Sequence, residues 1–235
     1  MEFPMRLNKY LAQEGIASRR EADVLIEQGK ILVNGKKAVV GQKVGEGDEV
    51  ELVGQTKKKQ YYAYYKGRGV ITHSPAQHET DIAMRLKQDY GLTNISPIGR
   101  LDKDSEGLII LSNDGRITAP LLDPESKSEK EYEVLVDKNL SGMAQRLMSK
   151  GVDIEGYKTK PAKVVANPKN AKRFRIILTE GKKHQIRRMC AALGYQVQTL
   201  KRVRVVNIEL GKLKPNQFRK ITGDELQIFL QKLGL

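Results

Sequence analysis

One segment of the chain places an acid and an arginine directly before an apolar strand. Residues 99–115 read GRLDKDSEGLIILSNDG, so Arg100 and Asp102 stand in a polar turn. The run 108–111 is uncharged and rich in branched residues, which predicts a buried strand that fixes the turn against the core. A carboxylate held at the edge of a sheet can attack a substrate or remove a proton from it. Asp102 is therefore the first candidate for catalysis.

Two other interpretations of this turn compete with catalysis. Asp and Ser side chains bond nearby backbone amides, so Asp102, Asp104 and Ser105 could serve only to shape the loop. The spacing of Asp102, Asp104 and Glu106 also copies the first half of a calcium-binding EF-hand loop. The twelfth position of that loop requires a bidentate glutamate, and this chain has Asn113 there. The calcium interpretation fails on that residue, whereas the loop-shaping one stays open.

The elements before this segment form a small module. An apolar helical face ends before Gly15, and Ser18 with Glu21 forms a capping box that opens a second helix ending at Gly29. Strand signals follow at residues 31–33, 38–40 and 49–53, with a hairpin turn at Asn34-Gly35. Residues 54–59 are polar and lack periodicity, which predicts a linker between two domains, 1–54 and 60–235.

The larger part mixes strands and helices without strict alternation. Strands are predicted at residues 61–65, 108–111, 131–136, 174–178 and 203–210. Helices are predicted from a Ser141 cap to Gly151, near residues 184–193, and after a capping box of Thr222 and Glu225. We expect the tyrosines of the first strand to pack within the sheet and Cys190 to be a small core residue. This order predicts an α+β domain around a largely antiparallel sheet.

The charge of the chain points to a polyanionic partner. Lys and Arg number 42 against 28 Asp and Glu, a net charge of +14. Residues 1–54 hold eight basic and nine acidic residues, so the excess belongs to the larger part. Between residues 157 and 208, Glu180 is the only acid among many cations. That imbalance favours a phosphate-binding surface over an ordinary solvated face.

Composition excludes several other classes. A single cysteine rules out an internal disulfide, and the start of the chain lacks the apolar core of a signal peptide. No run approaches the roughly 20 apolar residues of a membrane span. The sequence has neither a metal-binding cluster nor a nucleotide-binding loop, so we expect no cofactor. A monomeric cytoplasmic protein without membrane association is the simplest expectation.

Three segments together resemble the catalytic signature of the pseudouridine synthases in the RsuA/RluB/RluE/RluF family, most of all the RluF pattern. They are residues 99–115, EKEY at 129–132 and GKKHQIRRM at 181–189, in the order that the family shows. The resemblance covers nearly the whole chain and implies isomerisation of uridine in ribosomal RNA. Large-subunit RNA is the favoured substrate, and transfer RNA is a further option. The chain departs from the family at Lys66-Gly67-Arg68-Gly69, where Lys-Pro-x-Gly is usual.

The resemblance also implies roles for individual residues. Asp102 matches the catalytic carboxylate, and Tyr132 matches the aromatic residue that stacks on the target base. Arg187 matches the basic partner that keeps this carboxylate ionised. Arg100 matches a residue that helps to occupy the space left by a flipped nucleotide.

The N-terminal module resembles the alpha-L RNA-binding motif. The likeness rests on Arg6, Lys9, the run SRREA at 18–22 and the run VNG at 33–35. The RNA contacts that it implies are Arg6, Lys9, Arg19, Arg20 and Lys36. In the larger domain the basic candidates for RNA binding are Lys182, Lys183, Arg188, Lys201, Arg202 and Arg204.

Two other functions compete with the isomerase. A ribosome-assembly protein without catalysis would bind RNA and turn nothing over, but such a binder does not need Asp102, Tyr132 and Arg187 together. An RNA methyltransferase with the same N-terminal module would need a glycine-rich cofactor loop after an early strand, and the sequence lacks it.

Overall fold

The N-terminal part folds into a module of two helices and short strands. The computed structural model describes residues 3–53, 59–73, 80–93 and 95–235. The elements of the module are β1 (Met5–Arg6), α1 (Leu7–Gln13), α2 (Arg19–Glu27), β2 (Ile31–Val33), β3 (Lys36–Lys37), β4 (Lys43–Val44) and β5 (Val50–Leu52). Apart from residue 59, the predicted linker lies outside the described residues.

The predicted capping box opens α2. The hydroxyl of Ser18 accepts a hydrogen bond from the Glu21 amide at 3.3 Å, and the Glu21 carboxylate accepts one from the Ser18 amide at 3.1 Å. Two unsatisfied amides at the helix start are thereby paired. Ala22 and Ile26, on the inner face of α2, are buried. This prediction is confirmed.

The strand predicted at residues 38–40 is wrong. The second strand of the hairpin is β3, paired with β2 through Leu32 and Lys37. Val39 and Val40 are then 66% and 52% exposed, and the Val39 amide donates to the side chain of Gln42. An apolar run this short forms a strand only where a neighbour supplies hydrogen bonds, and here the chain turns away instead.

The C-terminal part contains strands of two to nine residues with helices between them. Its elements are β6 (Tyr61–Lys66), α3 (Ile82–Tyr90), β7 (Ser96–Ile98), β8 (Glu106–Ser112), α4 (Thr118–Leu122), β9 (Lys130–Val136), α5 (Gly142–Lys150), β10 (Asp153–Ile154), β11 (Tyr157–Lys158), β12 (Lys163–Ala166), β13 (Arg173–Leu178), α6 (Gln185–Ala192), β14 (Val197–Val205), β15 (Ile208–Glu209), β16 (Phe218–Lys220) and α7 (Gly223–Lys232). Within the described ranges, no helix is long and apolar enough to cross a membrane.

One large mixed sheet organises this part. Among the described residues it has nine strands, with the main order β12-β13-β9-β14-β8-β6-β16, while β7 pairs with β8 and β15 with β14. The contact between β14 and β8 is parallel, and the other pairs are antiparallel. The structure thus confirms the α+β fold with a mixed, largely antiparallel sheet.

Local signals also placed the helices well. The hydroxyl of Ser141 caps α5 by accepting from the Ala144 amide at 3.1 Å, and Gly151 follows its last residue. Cys190 lies on the inner face of α6 and is completely buried, and burial raises the pKa of its thiol to about 12. Its interpretation as a core residue is confirmed.

The single strand predicted at residues 203–210 is wrong. β14 ends at Val205, Val206 adopts a left-handed conformation with φ 56°, and the chain returns as β15. The amide of Leu210 donates to the carbonyl of Val203 at 2.8 Å, which closes the hairpin. The apolar run concealed the turn because a β-branched residue is rare at positive φ.

The capping box predicted before α7 is also wrong, although the helix is present. Thr222 stands at the N-cap position without a side-chain hydrogen bond to the helix. The carboxylate of Glu225 instead accepts two hydrogen bonds from the guanidinium of Arg219, at 2.6 and 2.7 Å. A bidentate charged pair is stronger than a neutral cap, so it takes the glutamate.

The end of α1 packs against the catalytic part at a short 3₁₀ turn, Gly115–Ile117. A Cβ atom on Gly115 would lie 2.3 Å from the carbonyl oxygen of Ala12, so only glycine permits this approach. Beside it, the fully buried Asp114 accepts hydrogen bonds from Arg116 and Tyr61. Burial alone would raise the pKa of Asp114, but these bonds outweigh it and hold the pKa below its ordinary value.

Candidate active site

The backbone on both sides of Asp102 is held in place. The hydroxyl of the buried Thr72 accepts a hydrogen bond from the Leu101 amide at 3.1 Å and donates one to the Leu101 carbonyl at 2.9 Å. The Ser105 amide donates to the carbonyl of Asp102 at 3.0 Å and closes the turn. The side chain of Asp102 is 37% exposed. These bonds therefore hold the backbone of Asp102 in a fixed position and leave its carboxylate partly exposed.

Lys66 supports this turn from beneath and was missed by sequence reasoning. It is fully buried, and its ammonium group donates to the carbonyls of Ser105 at 2.8 Å, Gly67 at 3.1 Å and Lys103 at 3.4 Å. Burial lowers the pKa of Lys66 to about 8, and the charge of Asp102 works against that decrease. Lys66 matches the lysine of the Lys-Pro-x-Gly pattern, but only the folded chain shows that it reaches this turn.

The departure from Lys-Pro-x-Gly after β6 is accommodated by a hydrogen bond. The amide of Gly67, which a proline would lack, donates to the side-chain oxygen of Asn216 at 3.2 Å. The amide of Gly69 donates to the Lys103 carbonyl at 2.9 Å. The glycine sequence is therefore tied to the Asp102 turn as well.

Gly107 is required where β8 meets β14. Its φ is +113°, and a Cβ atom would lie 2.2 Å from the carbonyl oxygen of Arg202. A side chain at this position would push the two parallel strands apart. The glycine thus allows the end of the Asp102 turn to lie directly on β14.

Arg187 contacts the turn but not the carboxylate of Asp102. Its guanidinium donates to the carbonyl of Asp104 at 3.2 Å and to the hydroxyl of Ser105 at 3.4 Å. The side chain that lies beside the carboxylate is His184, whose Nε2 is 3.4 Å from Oδ1 of Asp102. His184 precedes α6 in a left-handed conformation, with φ 52°. Sequence reasoning missed this pairing because it depends on a contact between two distant loops.

A cavity of about 420 Å³ opens beside Asp102. Arg100 and Asp102 lie on one rim, and Tyr132, on β9, lies deeper and is 9% exposed. Apolar side chains of Leu178 and Leu200 also line it. The lining thus combines apolar side chains with charged groups such as Arg100 and Asp102, and a cavity of this size can hold a single nucleobase.

Glu180 fixes the opposite rim. It is 2% exposed, and its carboxylate accepts hydrogen bonds from the Tyr157 hydroxyl at 2.6 Å, the Lys160 amide at 2.9 Å and the Gln185 side chain at 2.7 Å. The loop 181–184, which also lines the cavity, begins directly after it. The single acid of this basic region is thus an anchor for the loop that carries His184.

Comparison with known proteins assigns this geometry to a family. A model described as RNA pseudouridylate synthase matches residues 60–192, and an S4 domain model matches residues 5–50. The chain belongs to the RNA pseudouridylate synthase family. It is therefore an RNA uridine isomerase with an N-terminal S4 domain, as the resemblance of its motifs predicted.

Individual relatives agree with this assignment. The synthase is 40% identical over 228 residues to the dual-specificity RNA pseudouridine synthase RluF of Escherichia coli strain K12, which covers 94% of this chain and 77% of the relative. It is 35% identical over 236 residues to the ribosomal large subunit pseudouridine synthase B of Bacillus subtilis strain 168, covering 94% of both. A crystal structure of a pseudouridylate synthase superposes with a TM-score of 0.70 at 27% identity, over 97% of this chain and 99% of the other.

Most of the cations predicted to bind RNA lie on the surface of the synthase. The exposed ones are Arg6, Lys9, Arg19, Arg20, Lys36, Lys182 and Lys183. The ammonium of Lys182 lies 4.6 Å from the ring centre of Tyr157 at the cavity rim. Lys201 is half-buried, with its ammonium 4.9 Å from the ring centre of Tyr65.

The structure contradicts a surface role for Arg202. This side chain is 5% exposed, and its Nε donates to the carbonyl of Leu108 at 2.6 Å. It lines the cavity instead of the outer face, because its strand runs through the middle of the sheet. The sequence showed a run of cations but not which of them face inward.

Two further arginines are engaged within the protein. Arg204 pairs with Glu131 at 2.9 Å and Glu129 at 3.0 Å. Arg188 pairs with Glu155 at 2.7 Å and donates to a backbone carbonyl at 2.9 Å. Arg204 bonds within the protein through Nε, Nη1 and Nη2, whereas both bonds of Arg188 use Nη2 alone.

Proposed function

We propose that the synthase isomerises uridine in large-subunit ribosomal RNA, with Asp102 as the catalytic carboxylate. The observation that carries the proposal is the position of Asp102: a partly exposed carboxylate on a pinned turn, at the rim of a cavity that holds Tyr132. The reaction breaks the bond from ribose C1′ to uracil N1, rotates the base and joins C1′ to C5. One ionised carboxylate in an enclosed site suffices for it.

The nucleotide must leave its helix before Asp102 can reach it. Flipping costs a few kcal/mol, and base stacking on an aromatic ring returns about 1 to 3 kcal/mol. Tyr132 is placed inside the cavity to stack on the base, and the exposed Arg100 at its rim is placed to fill the vacated position in the RNA. His184 lies 3.4 Å from the carboxylate of Asp102, and Arg187 holds the backbone of the same turn.

In this proposal the S4 domain and the exposed lysines bind the phosphates of the RNA backbone. Each phosphate contact adds about −0.9 to the slope of log affinity against log salt on duplex RNA, and about −0.7 on single strands. Because Asp102 is placed to act on the base, Asp102→Asn should keep the wild-type slope. A variant that lost binding together with activity would move Asp102 from the chemistry to the scaffold.

The substrate is the finer part of this proposal. The Bacillus relative is named for the large ribosomal subunit and the Escherichia relative for dual specificity, so transfer RNA is the second candidate. We also propose that the synthase acts on this RNA as a monomer in the cytoplasm, since Asp102, Tyr132 and Arg100 meet at the cavity without a contribution from a second copy.

Tritium release distinguishes these substrates, since forming the new bond expels the hydrogen at C5. We expect release from unmodified large-subunit RNA labelled at C5 of uracil, and none from small-subunit RNA at equal concentration. Release from transfer RNA alone would refute the large-subunit assignment. Tight binding without release from any of the three RNAs would favour a non-catalytic assembly factor.

A further inference from the structure

Lys130 is a buried cation that lines the cavity, and the chemistry described so far gives it no role. Lys130 begins β9, two residues before Tyr132, so both side chains lie on the same face of the sheet. It is 8% exposed and lines the cavity. Arg202, paired with Tyr132 across the strands, lines the same space.

The ammonium of Lys130 lacks a compensating charge. In the described part of the chain it makes one hydrogen bond, to the carbonyl of Ser128 at 3.1 Å, and no ion pair. An ammonium can donate three hydrogen bonds, so two donors are unused. Burial, together with the charge of Arg202, lowers the pKa of Lys130 to about 8.

Such a group weakens the fold. Burying a charge without a partner costs several kcal/mol, and an apolar residue of similar volume would be more stable there. The buried Lys66 differs, because three carbonyls accept from it and three carboxylates lie close enough to stabilise its charge. The position of Lys130 therefore suits a negatively charged partner that arrives with the substrate.

The isomerisation creates a suitable partner. When the bond from C1′ to N1 breaks, its electron pair moves onto uracil and spreads over N1, O2 and O4. The new bond from C5 to C1′ uses an electron pair of this anion, after which C5 gives up its proton and N1 gains one. Nothing is oxidised or reduced. The base carries its negative charge only from the breaking of the C1′–N1 bond until the C1′–C5 bond forms.

We propose that Lys130 is a further catalytic residue: its buried ammonium, with Arg202 beside it, donates to the uracil oxygens and stabilises the negative charge on the detached base. This inference rests on the proposed use of the cavity by Asp102 and Tyr132. A preorganised donor of this kind acts on the transition state more than on the bound substrate.

Single-turnover kinetics with saturating enzyme test the role directly. The target RNA is digested after each time point, and the loss of uridine at the target position is followed by chromatography. Lys130→Met and Lys130→Gln both remove the charge, and Lys150→Met, at the exposed end of α5 and outside the basic region 157–208, is the matched control. We expect the two Lys130 variants to react about 10²- to 10³-fold more slowly, with RNA affinity within about threefold of the wild type.

A better leaving group separates catalysis from a structural role. Fluorine at C5 withdraws electrons and stabilises the uracil anion without help from the protein. Because this base has no C5 proton to lose, its reaction stops once C1′ has joined C5, and the quantity followed is the loss of 5-fluorouridine. With 5-fluorouridine at the target position, the deficit of Lys130→Met should shrink at least tenfold, while its melting temperature equals or exceeds that of the wild type. An equal deficit on both bases, with a lower melting temperature, would overturn the proposal.

The wild type distinguishes the failure of this inference from the failure of the proposed function. Conversion of uridine by the wild type, combined with unchanged rates in both Lys130 variants, would overturn the role of Lys130 alone. No conversion by the wild type on large-subunit RNA would overturn the proposed function and this inference with it.

Discussion

Replacing Lys130 by methionine should stabilise the fold, by an amount that depends on pH. The pKa of Lys130 is about 8 in the folded protein and 10.5 in an unfolded chain. Since a tenfold change in proton affinity is about 1.4 kcal/mol, the buried ammonium costs about 3 kcal/mol at pH 7, where it is protonated in both states. Methionine fills a similar volume and carries no charge.

The sign of the pH dependence follows from proton binding. Between pH 8 and 10.5 the unfolded chain holds more protons at this position than the folded one, so the wild type gains stability as the pH rises. The advantage of Lys130→Met should shrink from about 3 kcal/mol at pH 7 to about 2 at pH 9 and about 1 at pH 10. Lys66, whose pKa is also about 8, contributes equally to both proteins and cancels.

Urea denaturation of the wild type and Lys130→Met at pH 7, 8, 9 and 10 measures this difference. The series ends at pH 10 because the ionisation of tyrosines also changes the free energy of unfolding above it. Burial raises the pKa of Tyr64, for example, to about 12. A free-energy gap that stays constant from pH 7 to 10 would show that Lys130 is not a depressed buried lysine. A variant less stable than the wild type at pH 7 would refute the reasoning entirely.

Two further changes test how the site is positioned. Gly115→Ala would place Cβ 2.3 Å from the Ala12 carbonyl and should displace the S4 domain. We therefore expect KM for folded ribosomal RNA to rise about tenfold at unchanged kcat. The control Gly142→Ala, which has open space around it, should change neither KM nor kcat. Thr72→Val removes two hydrogen bonds to Leu101 and should cost about 1 to 3 kcal/mol in urea denaturation and lower kcat more than RNA affinity. Unchanged kinetics in either variant would argue against its contact as a positioning element.

Elements with a local signature could be predicted from the sequence. The capping box before α2 and the Ser141 cap of α5 fix helix starts within a few residues, and both helices lie where expected. The runs of apolar residues at 38–40 and 203–210 misled because a strand depends on its neighbours and on turns that β-branched residues conceal.

The sequence likewise predicted only part of the candidate site. Motif resemblance placed Asp102 and Tyr132, which the fold brings to one cavity. It could not show that Arg187 would reach the backbone of the turn rather than its carboxylate, or that His184 would take that position. The inward direction of Arg202 was likewise invisible, since it depends on strand order across the sheet.

The most direct test of the central claim compares two neighbouring acids in one turn. Asp102→Asn and Asp104→Asn each remove one carboxylate, and only Asp102 lines the cavity. On large-subunit RNA carrying tritium at C5 of uracil, we expect Asp104→Asn to release tritium within about tenfold of the wild-type rate and Asp102→Asn to release none while still binding the RNA. Release by Asp102→Asn at the wild-type rate would contradict the assignment of Asp102 as the catalytic carboxylate.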